Sequence, residues 1–163
     1  MEAIVAVYAD WGIGCQGTQP IVIRADRKHF RDVTQNAAVI VGRRTLADFP
    51  GGKPLKNRVN IVLTRSDLCI PGAVVVHSAE EALREAEAHE RVFVIGGESV
   101  YKALFPHIDR VYVTKIDALP HSDAYFPDLD ADLDWHILDM GSEEEQDGIA
   151  YRFMIYERVV DET

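Results

Sequence analysis

The amino-acid sequence predicts an α/β fold: residues 1–163 as one domain, with a central mostly parallel mixed sheet, flanking helices and an antiparallel edge strand at the C-terminal end. Three observations carry this expectation. Short, mostly apolar runs recur at residues 4–8, 38–42, 58–63, 73–76 and 92–95, and the run at 92–95 has no polar alternation, as expected of a strand buried on both faces. Helical, amphipathic stretches separate several of these runs, the alternation that builds parallel sheets. The last third closes in neighbouring strands, with Gln146-Asp147-Gly148 as a hairpin approach.

Bulk properties narrow the function. A chain of 163 residues, 47% apolar and 27% charged, can bury a core and form a cleft without disulfides or metals. Cys15 and Cys69 form no C-x-x-C pair, and the six histidines show no ligand spacing, so no metal site is expected. No apolar run reaches membrane-spanning length, and Met1-Glu2-Ala3-Ile4 enters a strand without a basic leader, so the expected location is cytoplasmic. The net charge of −10 argues against nucleic acid or an anionic membrane as partner. Between Arg43 and Arg65, however, six basic residues face one acid, a local +5 that leaves −15 elsewhere. That asymmetry suits a small anionic ligand, or a solvated basic surface.

The elements follow in order. After the first strand, residues 9–20 hold three glycines and a proline, which predicts a mobile connection of the kind that forms lids or binding loops. Residues 24–34 read as an amphipathic helix in which Asp26, Phe30 and Val33 share a face. A carboxylate on that stripe either serves a function or complements the helix dipole. Gly42 ends the second strand, and Arg43-Arg44-Thr45 opens a short helix, where a bound anion would offset the poor placement of cations. The third strand ends at Thr64-Arg65. A strand at 73–76 precedes a helix with a capping box, Ser78 as N-cap and Glu81 three residues on. Next, Val92-Phe93-Val94-Ile95 runs into Gly96-Gly97 and a helix from about Ser99 to Leu104, stopped by Pro106. Two adjacent glycines let a ligand approach the backbone, or simply make a tight turn. Residues 110–116 alternate as a strand, with Thr114 on the opposite face from Val113. Residues 128–147 carry nine acids and no lysine or arginine, a solvated surface with a strand around Trp135 to Leu138, and residues 150–156 form the final strand.

These motifs occur in one order: Trp11-Gly12-Ile13-Gly14 after the first strand, the helix bearing Asp26 and Phe30, Gly42-Arg43-Arg44-Thr45, Arg58 before its strand, Ile95-Gly96-Gly97 with Tyr101, Thr114, and Asp123-Ala124-Tyr125-Phe126-Pro127. The set resembles dihydrofolate reductase, over residues 4 to about 158. The resemblance implies a monomer that transfers hydride from NADPH to C6 of dihydrofolate with protonation of N5, and that binds antifolates. It implies Asp26 as the buried carboxylate of the pterin pocket, hydrogen-bonded to Thr114, with a raised pKa. It also makes Ile4, Val5, Ile95 and Phe30 neighbours of the pterin, Leu55 part of the aminobenzoyl wall, and Arg58 the bidentate partner of the glutamate α-carboxylate. On the cofactor side it implies Ala6, Ile13, Gly14, Gly17 and Thr18 around the nicotinamide. Gly42, Arg43, Arg44, Thr45, Leu63, Thr64, Arg65 and His77 fall at the adenosine end with its 2′-phosphate. Ile95, Gly96, Gly97, Glu98, Ser99, Val100 and Tyr101 fall at the pyrophosphate and nicotinamide, with Tyr101 near the nicotinamide as a catalytic residue alongside Asp26 and Thr114, and with a cis Gly96-Gly97 peptide.

This chain departs from the family at Ile21, where most members carry a tryptophan whose indole N–H holds a water near the carboxylate. Arg24 and Arg27 also replace proline-like or apolar residues, and Arg27 is expected to point to solvent because adjacent helix positions diverge. Retained activity with altered pH dependence and antifolate sensitivity is the expectation. The rival readings are a ribosyl-pyrimidine reductase of the same fold, which Asp26, Phe30 and Arg58 disfavour, and a non-catalytic pterin or nucleotide binder. Phosphoryl transfer is disfavoured because no G-x-x-x-x-G-K-[ST] occurs.

Overall fold

The computed structural model describes residues 1–160. Its strands are β1 (Glu2–Val7), β2 (Gly12–Gly14), β3 (Ala38–Gly42), β4 (Val59–Leu63), β5 (Ala73–Val76), β6 (Val92–Gly96), β7 (Arg110–Ile116), β8 (Ala124–Tyr125), β9 (Trp135–Met140), β10 (Glu144–Gln146) and β11 (Ile149–Arg158). The helices are α1 (Arg24–Thr34), α2 (Arg43–Ala47), α3 (Ala79–Ala86) and α4 (Glu98–Leu104). In the main sheet the order is β10-β11-β7-β1-β6-β3-β4-β5, with β9 also pairing β11. The strands from β7 to β5 run parallel, and β9, β10 and β11 supply the antiparallel edge.

Right-handed crossovers decide which face each helix covers. The chain moves outward from β1 through β3 and β4 to β5, then returns to β6 and steps over β1 to β7. The first half therefore lays α1 and α2 on one face, and the return lays α3 and α4 on the other. Two buried clusters record this division. Ile4, Val39, Val41, Val62, Phe93 and Ile95 pack with Leu46 of α2 and with Phe30 and Val33 of α1. The alternate residues Val5, Ile40, Ile61 and Val94 pack with Ala82 and Ala86 of α3 and with Val100 and Leu104 of α4.

Local chemistry sets the ends of the elements. Ser78 Oγ accepts the Glu81 N–H at 3.1 Å, but the Glu81 carboxylate accepts from the His77 N–H at 2.9 Å, one residue earlier than a reciprocal capping box requires. Asp147 and Gly148 both have positive φ, 51° and 82°, so the β10–β11 hairpin closes in a two-residue turn matched to strand twist. Pro106 does not end the helical path abruptly: α4 runs into a tighter turn over Phe105–His107. The connection at 9–20 is more regular than its glycine content predicts. Gly12 and Gly14 pair with Tyr125 and Ala124 as a small second sheet, and Cys15 bridges Thr18. A Cβ on Gly12 would collide with the Ser122 side chain, so glycine there is a packing requirement as well as a source of freedom.

Leu104, fully buried, anchors α4 to the sheet. Leu104→Ala is expected to lower unfolding free energy by about 2–5 kcal/mol, read from the urea midpoint with an unchanged slope.

Candidate active site

Parallel strands bring their carboxyl ends to one edge, and the registers make that edge continuous. Gly42 pairs with Leu63, Leu63 with Val76, and Val41 with Gly96. The segments that follow these strands therefore line up side by side: Arg43-Arg44-Thr45, Thr64-Arg65, His77 and Gly97-Glu98. Ile40 pairs with Val94 and Val41 with Gly96, so Ile95 is the extra residue of a bulge just before the glycines. The Gly96–Gly97 peptide is cis, and Gly96 has φ 126°. Thr45 sits against this turn, its Oγ1 3.1 Å from where a Gly97 Cβ would project. Arg43, Arg44 and Arg65 are exposed and make no ion pair with a described residue. His77 is held outside the sheet edge, its Nδ1 3.1 Å from the Thr64 carbonyl. Of the helix α4 residues, Glu98 accepts the Tyr125 N–H and pairs with Lys102, Ser99 is exposed, and Val100 is buried.

The sheet reverses its order of winding at β1, which lies between β6 and β7, the place where ligands enter open α/β sheets. Asp26 reaches this point from α1. Thr114 of β7, paired in register with Ala6 of β1, donates its hydroxyl hydrogen bond to Asp26 Oδ1 at 2.5 Å. Burial pushes the Asp26 carboxyl above the usual carboxylate range; the Thr114 hydroxyl and the charges of His29 and Arg27 offset this only in part. Arg27 itself is exposed. From the opposite face, Tyr101 donates its hydroxyl to the Ile4 carbonyl at 2.7 Å. Burial, and secondly the Asp26 charge, push the Tyr101 phenol far above its ordinary value, so it acts as a neutral donor.

Apolar side chains pack beside this pair. Phe30 and Leu55 pack on the cluster that holds Ile4 and Ile95. Val5 lies in the cluster on the other face, so only its backbone is available to this side. The side chains of Ile13 and Leu63 likewise pack on that second cluster. Arg58 stands at the far end of α1, where its Nε donates to the Lys56 carbonyl at 2.9 Å and Nη1 to Thr34 Oγ1 at 3.1 Å. Partial burial, and then the nearby Arg31 charge, lower its pKa, and no acidic side chain pairs with it among the described residues. An open groove of about 510 Å³ between residues 52–55 and 70–72 borders Leu55 and does not include Asp26. Gly17 and Thr18 are exposed on the loop beyond β2.

Several positioning contacts carry no signal in the sequence. Helix α1 has no side-chain cap of its own; the Arg24 N–H is instead held at 2.7 Å by the amide oxygen of Gln146, whose Nε2 donates to the Val22 carbonyl. Tyr8 Oη accepts the Ile21 N–H at 3.0 Å and donates to the Ile21 carbonyl at 2.8 Å, so residue 21 is clasped through its backbone. Asp123 accepts the Gln16 N–H at 3.0 Å while its own N–H donates to Gly14, tying the loop after β2 to β8. Of these residues only Asp123 belongs to a sequence motif, and the motif assigns it no role. Among the described residues no His, Cys, Asp and Glu side chains converge in threes as metal ligands, and no helix is long and apolar enough to cross a membrane.

Known proteins share this arrangement. The family model described as dihydrofolate reductase matches residues 1–158. The dihydrofolate reductase of Bacillus subtilis is 35% identical over 158 residues, covering 95% of this chain and 92% of that protein. That of Staphylococcus haemolyticus is 34% identical, with 98% and 96% covered. The solved dihydrofolate reductase of Enterococcus faecalis, complexed with NADP(H) and RAB-propyl, superposes with a TM-score of 0.85 at 35% identity over 96% of this chain and 95% of that one. With the model spanning nearly the whole chain and these relatives matched end to end, the chain belongs to the dihydrofolate reductase family.

Proposed function

We propose that this chain reduces 7,8-dihydrofolate to 5,6,7,8-tetrahydrofolate with NADPH, supporting one-carbon metabolism, as a cytoplasmic monomer of one domain that also binds antifolates. The observation that carries this reading is the Asp26–Thr114 pair, a single carboxylate held at the sheet's switch point in an otherwise apolar wall. A flat, amino-bearing heterocycle supplies the donors that such a carboxylate lacks in the protein. Asp26 accepts from the pterin amino group and N3, Thr114 fixes the carboxylate's orientation, and Phe30, Ile4 and Ile95 sandwich the ring edge. Leu55 borders the aminobenzoyl group, and Arg58, tethered at two of its nitrogens, offers the remaining face of its guanidinium to the glutamate α-carboxylate.

The residues along the strand ends suit the dinucleotide. A glycine pair with no Cβ atoms stands beside Thr45, and three guanidiniums with no acidic partner among the described residues fit phosphate groups, including one on the ribose. When bound, NADPH supplies the hydride for C6. Arg43, Arg44, Thr45, Thr64 and Arg65 would hold its adenosine-phosphate end, Gly96 to Tyr101 its centre, and Ala6 with the loop from Gly12 to Thr18 the nicotinamide side. Tyr101, neutral and fixed on the Ile4 carbonyl, keeps β1 and α4 in contact there. The Asp123–Gln16 hydrogen bond braces the covering loop. Reduction also needs a proton at N5. A carboxyl with a raised pKa keeps the pocket's proton to a higher pH than an exposed aspartate does, so the chemical step is expected to slow as pH rises through that pKa.

Asp26→Asn is expected to cut NADPH oxidation with dihydrofolate by about two orders of magnitude near neutral pH, with partial recovery in acid, in steady-state assays across pH. A parent that binds NADPH without turnover would refute the proposal. The same variant has an opposite effect on stability. The raised native pKa means Asp26 stabilises the fold below its unfolded-state pKa, and this is lost as pH rises through the native value. Asp26→Asn is therefore expected to melt above the parent at pH 7, by about 2–4 °C per kcal/mol gained, with the difference vanishing in acid. Replacing Arg44 and Arg65 together by alanine is expected to raise the KM for NADPH about tenfold or more while leaving that for NADH near its parent value.

A further inference from the structure

We infer that His29 is a positioning residue for the proton chemistry of Asp26: seated on Phe153 one turn along α1, its imidazole sets the pH range over which the carboxyl keeps its proton. The kinetic part of this inference rests on the reductase reading; the coupling itself is a property of the folded chain.

The geometry is a rung of the sheet. Thr114 of β7 and Phe153 of β11 are directly opposite in the antiparallel register, so their side chains leave the sheet on the same face. Helix α1 crosses that face. Asp26 lands on Thr114 at 2.5 Å, and the His29 ring lies 4.3 Å from the Phe153 ring, inclined by 30°. Residues three apart on a helix are neighbours, with Cβ atoms about 5–6 Å apart. The carboxylate and the imidazole thus occupy adjacent seats on one rung, each half withdrawn from water.

The charges around His29 leave Asp26 as its principal partner. From α1 the acting carboxylates are Asp26 and then Asp32, and the latter is exposed and paired with Lys28 at 3.4 Å. From β11 the contact is the uncharged Phe153, backed by Tyr151, while Arg152 turns away to the Gly141 carbonyl. β7 presents Thr114. Burial lowers the His29 pKa, the two carboxylates oppose that shift, and His29 in turn acts more strongly on Asp26 than the adjacent Arg27 does. Oppositely charged neighbours push their macroscopic titrations apart: imidazolium weakens proton binding at Asp26, and neutral imidazole restores it.

The test combines proton NMR titration of the His29 ring with rate profiles across pH. At about 6 Å in a water-like dielectric, the coupling is worth about half a pH unit. In Asp26→Asn the His29 titration is expected to move down by about that amount. In both His29→Phe, which preserves the stacking, and His29→Gln, which preserves polarity, the upper limb of the NADPH oxidation profile is expected to move up by a similar amount. An NMR titration that stays within about 0.1 unit in Asp26→Asn overturns the coupling, and an unmoved rate profile in His29→Phe overturns its role in the reaction. An inactive parent overturns the reductase reading instead, and the NMR comparison still decides the coupling.

Discussion

Hydrogen-bonded registration of β1 between β6 and β7 is the constraint on which everything else in this molecule depends. Because the chain winds outward from β1 and returns to both of its sides, the edge of the sheet is forced open there. Helix α1 closes one side of the opening and α4 the other, and each contributes one polar group to it: Asp26 hydrogen-bonded to the next strand, and Tyr101 to the backbone of β1 itself. The Asp26 carboxyl owes its raised proton affinity to the same packing that buries Ile4 and Phe30's neighbours. Stability and chemistry therefore meet at one residue and pull in opposite directions, since the environment that favours a proton also makes the ionised form costly.

The charge distribution divides the work in a second way. The chain is acidic overall, yet its carboxyl-end loops are basic because two neighbouring parallel strands, β3 and β4, deliver Arg43, Arg44 and Arg65 to adjacent positions. No single strand creates that field. Register adds the contributions, and a one-residue slip between β3 and β4 would move a guanidinium from the ligand edge into the sheet.

Strand and helix positions were legible in the sequence wherever burial imposes a pattern: the runs at β3 and β6, the amphipathic α1, and the Ser78 cap all follow from local rules, while the apolar run of β5 forms an exposed edge strand rather than one buried on both faces. The ordered motifs also located Asp26, Thr114, Arg58 and the glycine pair. Contacts made by neutral polar groups over long sequence separation were not legible. Gln146 capping α1 and Tyr8 clasping Ile21 bridge 122 and 13 positions, and neither residue type announces such a role. The small β2–β8 sheet was hidden for a different reason: glycines suggest freedom, but here they are the residues that allow two segments to approach closely. A lone histidine on a helix, such as His29, has no spacing to mark it; only its seat on Phe153 gives it a neighbour.

The clasp between Tyr8 and residue 21 has an evolutionary consequence. Both hydrogen bonds engage the main chain of residue 21, so the path of the polypeptide into α1 is secured whatever side chain that residue carries. Anchoring is thereby separated from the identity of the side chain, which packs on the cluster of Ala6, Tyr8 and Ile23. A lineage can exchange that side chain without first having to reinvent the hydrogen bonds that fix the path of the chain.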